Sequence, residues 1–438
     1  MKKLFYLTIV LTLFASCKKD GPETQPINIK VNLAYANDHY NTALASQTVT
    51  VTLKNVSTGT VVQQESKNGI VEYLGINPGN YDIDASIELS KSTFENLTGE
   101  ELDATSVTFN ASVKNTVFHE NTVFTFWLVS GVVGDFVIKQ VYYAGSHRQD
   151  GALFRDQFIE IYNNTNRTLY ADSLYFGRLW GKQTPSNSTH HFQENGQLDW
   201  SKSEGMTIGG SANTDYVYIR DLFMIPGSGK DHPIAPGKSI VIAQNALNHK
   251  VPYTDAGGEE TTVRNPDLTI DLSGADFETY YGNIPGVNPL SSDIDNPDVP
   301  NVEVVKPQGR DWLLDNLGRD SYFVFKGKTR AEVDALPNYY APLLNPPSAS
   351  ADQYTQLPNA WIMDAVEIQP NVLSSRIPKK LGFSLDAGFT FATEGGYSSQ
   401  AVIRKTLGTE AGRRILKDSN NSTEDFIVIK ANPRGFGD

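Results

Sequence analysis

The feature that most constrains the fold of this chain is a series of short segments in which apolar and polar residues alternate. They occupy the first third of the 438 residues, at 29–34, 47–53, 60–64, 70–74, 81–87, 106–113 and 122–129. Turn residues such as Asn68-Gly69 separate them. A period of two is typical of half-buried strands, and short strands at even spacing without a helical period indicate a β-sandwich. We therefore expect residues 27–130 to form one all-β unit.

Composition excludes several other classes of protein. The chain has 39% hydrophobic residues, 35 Gly, 22 Pro and a single Cys, which argues against a disulfide scaffold, a coiled coil and a wholly disordered chain. The formal net charge is −13, and no basic run is present that could neutralise the phosphates of a nucleic acid. We expect no nucleic-acid partner, and the length allows two or three domains.

The first residues carry the pattern of an export signal. Lys2 and Lys3 precede an apolar run at 4–14 that is too short to span a bilayer, and small residues lead to Cys17. Residues 14–17, Phe-Ala-Ser-Cys, resemble the lipobox of bacterial lipoproteins, although Phe14 stands where Leu is usual. The resemblance implies a signal peptide at 1–16, a lipid anchor on Cys17 and a polar tether at 17–26. The alternative is an ordinary cleaved secretory signal with an incidental Cys.

The residues that follow Cys17 indicate where the protein resides. Lys18, Lys19 and Asp20 are similar to the surface-export signal of Bacteroidetes lipoproteins. Several acyl chains on one Cys are enough for stable anchoring, whereas a single chain is marginal. The resemblance therefore implies an outer-membrane lipoprotein that faces the cell exterior.

A second resemblance concerns the first all-β unit. Residues 69–83, which include Gly79 and Tyr81, resemble the signature of carboxypeptidase-regulatory-like, prealbumin-type domains. In that family the tyrosine packs in the core, and the domains act mostly as spacers or stability modules. The resemblance implies a prealbumin-like or immunoglobulin-like β-sandwich at 27–130 without chemistry of its own.

The remaining residues, 131–438, contain a second set of strand segments, at 136–143, 157–164, 169–176, 234–243, 322–325 and 361–368. Their order, with Phe-Ile-Glu-Ile at 158–161 before an Asn-rich turn, resembles the lamin-tail domain, an immunoglobulin-like β-sandwich. That domain is much shorter than this unit, so we expect long loop insertions at 181–233 and 245–320. The whole chain resembles an uncharacterised family of Bacteroidetes outer-membrane lipoproteins.

Two sets of candidate metal ligands lie in these insertions. Imidazole is a common metal ligand, and one composite metal site could be formed by His190, His232 and His249. Together with Tyr142 or Tyr143, such a site could hold iron or haem. The spacing of Asp293, Asp295 and Asp298 resembles part of a calcium-binding loop, although the Gly at the sixth position of such a loop and its terminal Glu are missing. The alternative for the histidines is that they are ordinary surface residues. The acidic turn is expected either to bind a structural calcium ion or to be solvated.

Aromatic side chains in or near the insertions are candidate ligand contacts. Such rings can stack on sugars or anchor a protein interface, and the set is Trp180, Trp200, Tyr280, Tyr281 and Trp312. The alternative is packing, because most aromatic residues of β-rich proteins are buried or form cross-strand pairs.

The sequence favours a binding protein over an enzyme. It contains no His-Glu-x-x-His, no Gly-x-Ser-x-Gly and no complete phosphate loop, and we name no catalytic residue. The resemblance to surface lipoproteins implies an accessory or capture subunit of nutrient uptake beside a TonB-dependent transporter. Adhesion to a glycan or another extracellular ligand is the first alternative, and a surface hydrolase with a composite site is the second.

Overall fold

The computed structural model describes residues 25–35, 38–99, 106–131, 135–186, 188–410 and 412–437. The predicted signal peptide at 1–16, Cys17 and most of the predicted tether lie outside these residues. Strands dominate the described chain and its helices are short, which confirms the predicted all-β class. None of the described helices is both long and apolar enough to cross a membrane.

The first unit contains a strand for each segment predicted from the alternation. The strands are Ile27–Tyr35 (β1), Thr50–Asn55 (β2), Val61–Glu65 (β3), Ile70–Ile76 (β4), Gly79–Ser90 (β5), Ser106–Phe118 (β6) and Thr122–Gly131 (β7). Between β3 and β4, Asn68 and Gly69 have φ angles of 51° and 72°, the left-handed region that a tight hairpin turn requires and that these residue types tolerate.

Two short helices in this unit are absent from the sequence prediction. They are Asp38–Ala43 (α1) and Lys91–Thr98 (α2). The Ser90 side chain caps α2 by accepting a hydrogen bond from the Thr93 amide, and Phe94 is buried in the core. Both helices are too short to show a clear helical period in the sequence, so the strand pattern did not predict them, and the unit remains all-β in class.

The seven strands form a sandwich of two halves. The order is β3-β2-β5-β6-β7-β1-β4, and the hydrophobic core includes residues such as Ile83 and Ile29 from both halves. Tyr73 of β4 donates its hydroxyl to the Val51 carbonyl of β2 at 2.7 Å, so a hydrogen bond crosses the core. Tyr81 is also buried, as the carboxypeptidase-regulatory-like resemblance implies.

The second unit contains the remaining strands. They are Phe136–Tyr142 (β8), Phe158–Asn163 (β9), Leu169–Tyr170 (β10), Tyr175–Leu179 (β11), Tyr216–Met224 (β12), Pro233–Ile234 (β13), Ser239–Ala243 (β14), Tyr253–Thr254 (β15), Glu260–Thr261 (β16), Phe277–Glu278 (β17), Glu303–Lys306 (β18), Ser321–Phe325 (β19), Asn338–Tyr340 (β20), Gln353–Pro358 (β21), Ile362–Glu367 (β22), Gln400–Arg404 (β23), Thr406–Glu410 (β24), Arg413–Leu416 (β25) and Phe426–Lys430 (β26). The short helices are Ser211–Thr214 (α3), Arg330–Asp334 (α4) and Ser422–Asp425 (α5). Single 3-10 turns occur at Trp200–Lys202, Pro266–Leu268, Tyr281–Asn283, Asn359–Trp361 and Leu373–Ser375.

Two sheets face each other in this unit. The first has the order β17-β14-β9-β8-β23-β26, and the second has the order β20-β21-β12-β11-β19-β22 with β18 paired to β12. The main core lies between them and includes Ile161 and Ile240 from the first sheet and Phe176 and Phe223 from the second. Separate apolar clusters cover the outer face of each sheet. Strands β8, β9, β11 and β19 are therefore buried along their whole length.

The regions 181–233 and 245–320, predicted as loop insertions, are partly built into this sandwich. Strand β12 lies inside the first region and occupies the middle of the second sheet. The second region contributes β17, β18 and the buried Trp312, and its Ile270, Leu272 and Val299 cover the outer face of the first sheet. A strand that is buried on both faces does not alternate, which is why the prediction missed β12.

Buried ion pairs join strands both between the two sheets and within the second sheet. Arg404 of β23, in the first sheet, contacts the Asp364 carboxylate of β22, in the second sheet, at 2.7 Å. Arg178 of β11 donates from Nε to Asp221 at 2.9 Å and from Nη1 to Asp320 at 2.9 Å. Both arginines are 2% exposed. Such pairs fix how strands pack, since removal of one partner leaves a buried charge.

Candidate functional site

The predicted ligand-binding aromatics are mostly packing residues. Trp312 and Tyr281 are both 0% exposed and lie in the main core of the second unit. Trp200 is buried and stacks on Tyr218, with the ring centroids 3.4 Å apart. A ring enclosed by core side chains cannot meet a ligand from solvent, so the structure assigns these three predicted residues to packing.

The other two predicted aromatics are half-buried and lie apart. Trp180 stacks on Tyr354 with the ring centroids 4.3 Å apart, at the rim of the cluster that contains Trp200. The Tyr280 ring lies against Gly282 in a different loop. Trp180 belongs to the cluster around Trp200 and Tyr280 does not, so the two rings do not form one stacking platform.

The predicted histidine site does not assemble. His190 contacts the Trp180 ring, His232 contacts Phe277, and the fully buried His249 contacts Tyr253. The three imidazoles therefore occupy three different environments. In the described part of the chain, no group of three or more His, Cys, Asp or Glu side chains is arranged to hold a metal ion.

The predicted calcium loop also separates. Asp295 and Asp298 are exposed, whereas Asp293 is 1% exposed. One carboxylate oxygen of Asp293, Oδ2, accepts a hydrogen bond from the Tyr281 amide at 2.8 Å. Asp293 thus points into the protein, away from the two residues with which the sequence pattern grouped it.

A buried acidic cluster surrounds Asp293 instead. We use this name for Asp293, Glu278, Asp311 and the amide Gln244, which are each at most 5% exposed. They come from four separate segments of the chain: the loop after β14, the end of β17, the loop before β18 and the loop after β18. The expected insertion thus supplies three acids to one buried place.

Hydrogen bonds tie these segments together. Gln244 Nε2 lies 3.3 Å from each oxygen of Asp311, and the Ser292 hydroxyl donates to Asp311 Oδ2 at 2.8 Å. Glu278 accepts from the Ala246 amide at 2.7 Å and from the Asn296 amide at 2.5 Å. The nearest cationic side chain to Asp311 in the described structure is Arg155, with Nη1 3.8 Å from Oδ2.

The charges in the acidic cluster are poorly compensated. Burial raises the pKa of Glu278 to about 7, and burial together with the charge of Asp311 raises the pKa of Asp293 to about 7. Burial also raises the pKa of Asp311, against the opposing effect of the hydrogen bonds from Ser292 and Gln244. Three carboxyl groups therefore share a place where the ionised form is costly without a counter-charge.

Two oxygens of the acidic cluster lack partners. Asp293 Oδ1 and Gln244 Oε1 are buried without a hydrogen bond in the structure. Buried polar atoms are almost always satisfied by protein, water or an ion. The sequence analysis named Asp293 and missed Gln244, Glu278 and Asp311. The only local sign of these three residues in the sequence is that each is polar and lies within or close to an otherwise apolar strand.

The first unit presents a different feature, an apolar seam. Strands β6 and β7 pair only over Thr108–Asn110 and Val129–Gly131 among the described residues. Beyond that point β6 pairs with β5 and β7 pairs with β1 in parallel. The seam is the cleft between 111–118 and 122–127, closed on one side by Phe383 of the second unit, and its volume is about 450 Å³.

Among the side chains that the structure describes, those that line the seam are uncharged. Phe118, Phe124 and Phe126 form its floor, with the Phe118 and Phe124 rings stacked 6.0 Å apart. Trp127 at its edge is 57% exposed and Val117 is 49% exposed. Exposed apolar surface next to unpaired strand edges is typical of a site for another protein segment.

Comparison with known proteins places the chain beside one family. Residues 235–433 match the family model DUF4876, described as a protein of unknown function. The match covers much of the second unit, including the acidic cluster and Phe383, and neither of the two strands of the seam. No curated protein sequence matches the chain.

A comparison with solved structures finds a protein of the same family. A DUF4876 family protein from Bacteroides thetaiotaomicron VPI-5482 has a similar fold, with a TM-score of 0.52 and 24% sequence identity over 94% of this chain and 98% of that chain. Two proteins described as candidate adhesins, from Bacteroides ovatus and Bacteroides ovatus ATCC 8483, have TM-scores of 0.15 and 0.19. They share 7% and 11% identity over 35% and 49% of this chain, and 54% and 82% of their own chains.

Proposed function

We propose that this protein is a lipid-anchored outer-membrane protein, facing the cell exterior, that binds an extended apolar segment of a membrane partner at the seam. The partner we propose is a TonB-dependent transporter, with this chain as its accessory or capture subunit. We also propose that the first unit is a carboxypeptidase-regulatory-like domain and the second a lamin-tail-like domain with enlarged loops.

The observation that carries the binding role is the seam itself. Its two facing strands keep edges that a further strand can pair with, and its floor is aromatic and uncharged. Strand addition combines main-chain hydrogen bonds with side-chain pockets. A polar glycan matches such a cleft less well, because its hydroxyl groups would face Phe rings without hydrogen-bond partners.

The position of the seam in the chain suits a membrane partner. The segment from Cys17 to Ile27 spans at most about 36 Å when fully extended. Ile29, near the start of β1, is paired with Thr122 at one end of the seam. A lipid on Cys17 would therefore hold the seam close to the membrane surface, where a transporter is accessible.

Site-specific photo-crosslinking in cells tests the binding role. A photoreactive residue in place of Trp127 should crosslink to an outer-membrane transporter, and the same residue in place of Leu407 should not. Leu407 is a matched control because it is 56% exposed and lies on β24 of the second unit. Equal crosslinking from both positions would favour adhesion instead. The same conclusion would follow if position 127 gave no crosslink while glycan from the cells stayed bound to the protein.

A second experiment tests the anchor separately. Cys17→Ser should prevent lipid attachment and move the protein out of the membrane fraction. In a separate assay, protease treatment of intact cells should degrade the wild-type protein if it faces the cell exterior. Membrane retention of Cys17→Ser would contradict the lipoprotein assignment and leave the seam experiment interpretable on its own.

A further inference from the structure

One wall of the seam comes from the second unit. Phe383 lines the cleft together with side chains of β6 and β7, and it is 39% exposed. The two leucines beside it in the loop are placed differently. Leu381 is 1% exposed and lies in an apolar core of the second unit, and Leu385 packs against the same core. The loop therefore turns two apolar side chains into the second unit and holds the Phe383 ring out towards the first.

Hydrogen bonds fix the loop that carries Phe383. The Leu381 amide donates to Glu367 Oε2 at 3.1 Å. At the other end of the loop, Lys379 Nζ donates to the Asp386 carbonyl at 2.7 Å, and the same Nζ lies 5.3 Å from the centroid of the Phe383 ring. Glu367 and Asp386 are both 0% exposed. The ring is thus presented by a short loop whose ends are tied to buried residues.

The same loop is connected to the place where the two units meet. The Asn110 side chain of β6 donates from Nδ2 to the Ser419 carbonyl of the second unit at 2.7 Å, and both residues are buried. Three residues after Ser419, the Ser422 amide donates to Asp386 Oδ1 at 2.8 Å. A path of contacts therefore leads from β6 through residues 419–422 to the loop of Phe383.

Asn110 lies at the point where the seam opens. Its pairing with Val129 is the last pairing between β6 and β7 before the strands diverge, among the residues that the structure describes. The Ser419 carbonyl is held in place as well, because the amide and the hydroxyl of Ser419 both donate to the Asp425 carboxylate, at 2.8 and 2.6 Å. The contact between the units thus lies beside the cleft and sets the position of Phe383 relative to both strands.

We propose that the seam is a composite site of the two units, in which Phe383 contacts the bound partner segment and Asn110 positions the second unit for that contact. This assignment rests on the proposed function, because it requires a segment bound at the seam. Aromatic residues in apolar pockets dominate the energetics of many protein interfaces, and a wall that is fixed before binding lowers the entropic cost of association. The partner segment accordingly carries a large apolar side chain where it faces Phe383.

The composite site gives a binding contact to a region of unknown function. Phe383 lies within residues 235–433, which match the family model, whereas β6 and β7 lie outside the match. The second unit then acts on the partner directly and does not serve only as a body on which the first unit is carried.

Photo-crosslinking from both walls tests this proposal. The full chain in cells carries the photoreactive residue in place of Trp127, of Phe383 or of the control Leu373, which is 75% exposed and is not among the described residues that line the seam. Positions 127 and 383 should crosslink to the same segment of one membrane protein, and position 373 should not. A crosslink from position 127 without one from position 383 would overturn the inference and leave the proposed function standing. Absence of both crosslinks would refute both.

Substitution of Phe383 measures its contribution. With the photoreactive residue at position 127, Phe383→Ala should lower the crosslink yield severalfold, because burial of a Phe side chain in an apolar site is worth on the order of tenfold in affinity. Phe383→Leu should retain more of the yield, and Leu373→Ala should leave it unchanged. An unchanged yield with Phe383→Ala would show that the ring is not a contact. A higher yield would show that the ring obstructs the seam, and either result would overturn the proposal.

Asn110→Ala tests the positioning role, because it removes the hydrogen bond from β6 to the Ser419 carbonyl. The variant should lower the crosslink from position 383 by a larger factor than the crosslink from position 127. A general loss of stability would lower both crosslinks by the same factor and would contradict the positioning role. Circular dichroism of the purified proteins checks that each variant is folded.

Discussion

Asp156 provides a sharp test of the electrostatics of the second unit. Its side chain is 0% exposed, and its Oδ2 accepts a hydrogen bond from the Tyr142 hydroxyl at 3.1 Å. Its other oxygen, Oδ1, has no hydrogen-bond partner among the residues that the structure describes. Burial raises the pKa of this carboxyl group from 3.8 to about 7. The folded protein therefore holds a proton on Asp156 that the unfolded chain loses near pH 4.

The sign of the effect follows from proton linkage. Between pH 4 and pH 7 the native state binds more protons than the unfolded state, so the free energy of unfolding falls as the pH rises. A difference of about three pH units, at about 1.4 kcal/mol per unit, gives a loss of about 4 kcal/mol by pH 8. The stabilisation is fully present below pH 4 and is lost as the pH rises through about 7.

Asp156→Asn removes this titration while it keeps a side chain of the same shape. The variant should be as stable as the wild type near pH 4, or slightly less stable, and more stable than the wild type at pH 8 by up to about 4 kcal/mol. Urea denaturation at several pH values measures the difference. Trp fluorescence reports mainly on the second unit, because four of the five Trp residues, all except Trp127, lie there.

The Asp298→Asn substitution, which replaces an exposed carboxyl group by an amide, serves as the control. Other buried acids give the wild type additional pH dependence, which both variants share. If Asp156→Asn were destabilising by the same amount at pH 4 and at pH 8, Asp156 would be ionised in the native state. The argument from burial would then be refuted.

Three further predictions concern packing. Trp312→Ala should lower the free energy of unfolding by about 3–5 kcal/mol, because the ring is 0% exposed and packs on Phe176 and Phe223. Replacement of the half-buried Trp180 by Ala should cost less. Urea denaturation measures both losses, and equal losses would contradict the assignment of Trp312 to the core. Arg178→Leu leaves the Asp221 carboxylate buried without its cation and leaves Asp320 with Arg220 as its remaining ion pair, and it should cost about 3–5 kcal/mol, against at most about 1 kcal/mol for the partly exposed Arg330→Leu. Deletion of 245–320 removes β17, β18 and Trp312, so cooperative thermal unfolding should disappear in calorimetry, and its retention would show that this region is a dispensable loop.

Local pattern predicted the first unit well. Its strands bury one face and expose the other, as in β5, where Tyr81, Ile83, Ala85, Ile87 and Leu89 are buried and alternate with more exposed residues. Alternation of this kind is a property of neighbouring residues, and so is the Asn68-Gly69 turn. The helices α1 and α2 escaped prediction because six and eight residues are too few to establish a helical period.

The acidic cluster could not be predicted in the same way. The sequence grouped Asp293 with Asp295 and Asp298 because they are close in the chain, whereas the fold turns Asp293 inward and leaves the other two outside. Its actual neighbours, Gln244 and Asp311, come from other loops. Which carboxylates share a site depends on how the loops cross, and no local spacing records that.

By itself the sequence determined the all-β class, the strands of the first unit and the strands β8, β9 and β14 of the second, since alternation, apolar runs and turn residues act over a few positions. Only the tertiary structure decided that β12, which contains Arg220 and Asp221, lies in the middle of a sheet. Asp221 can be buried there because Arg178, 43 residues earlier, donates to it. Burial of a charge depends on a partner that is distant in the chain, and for that reason it is settled by the fold.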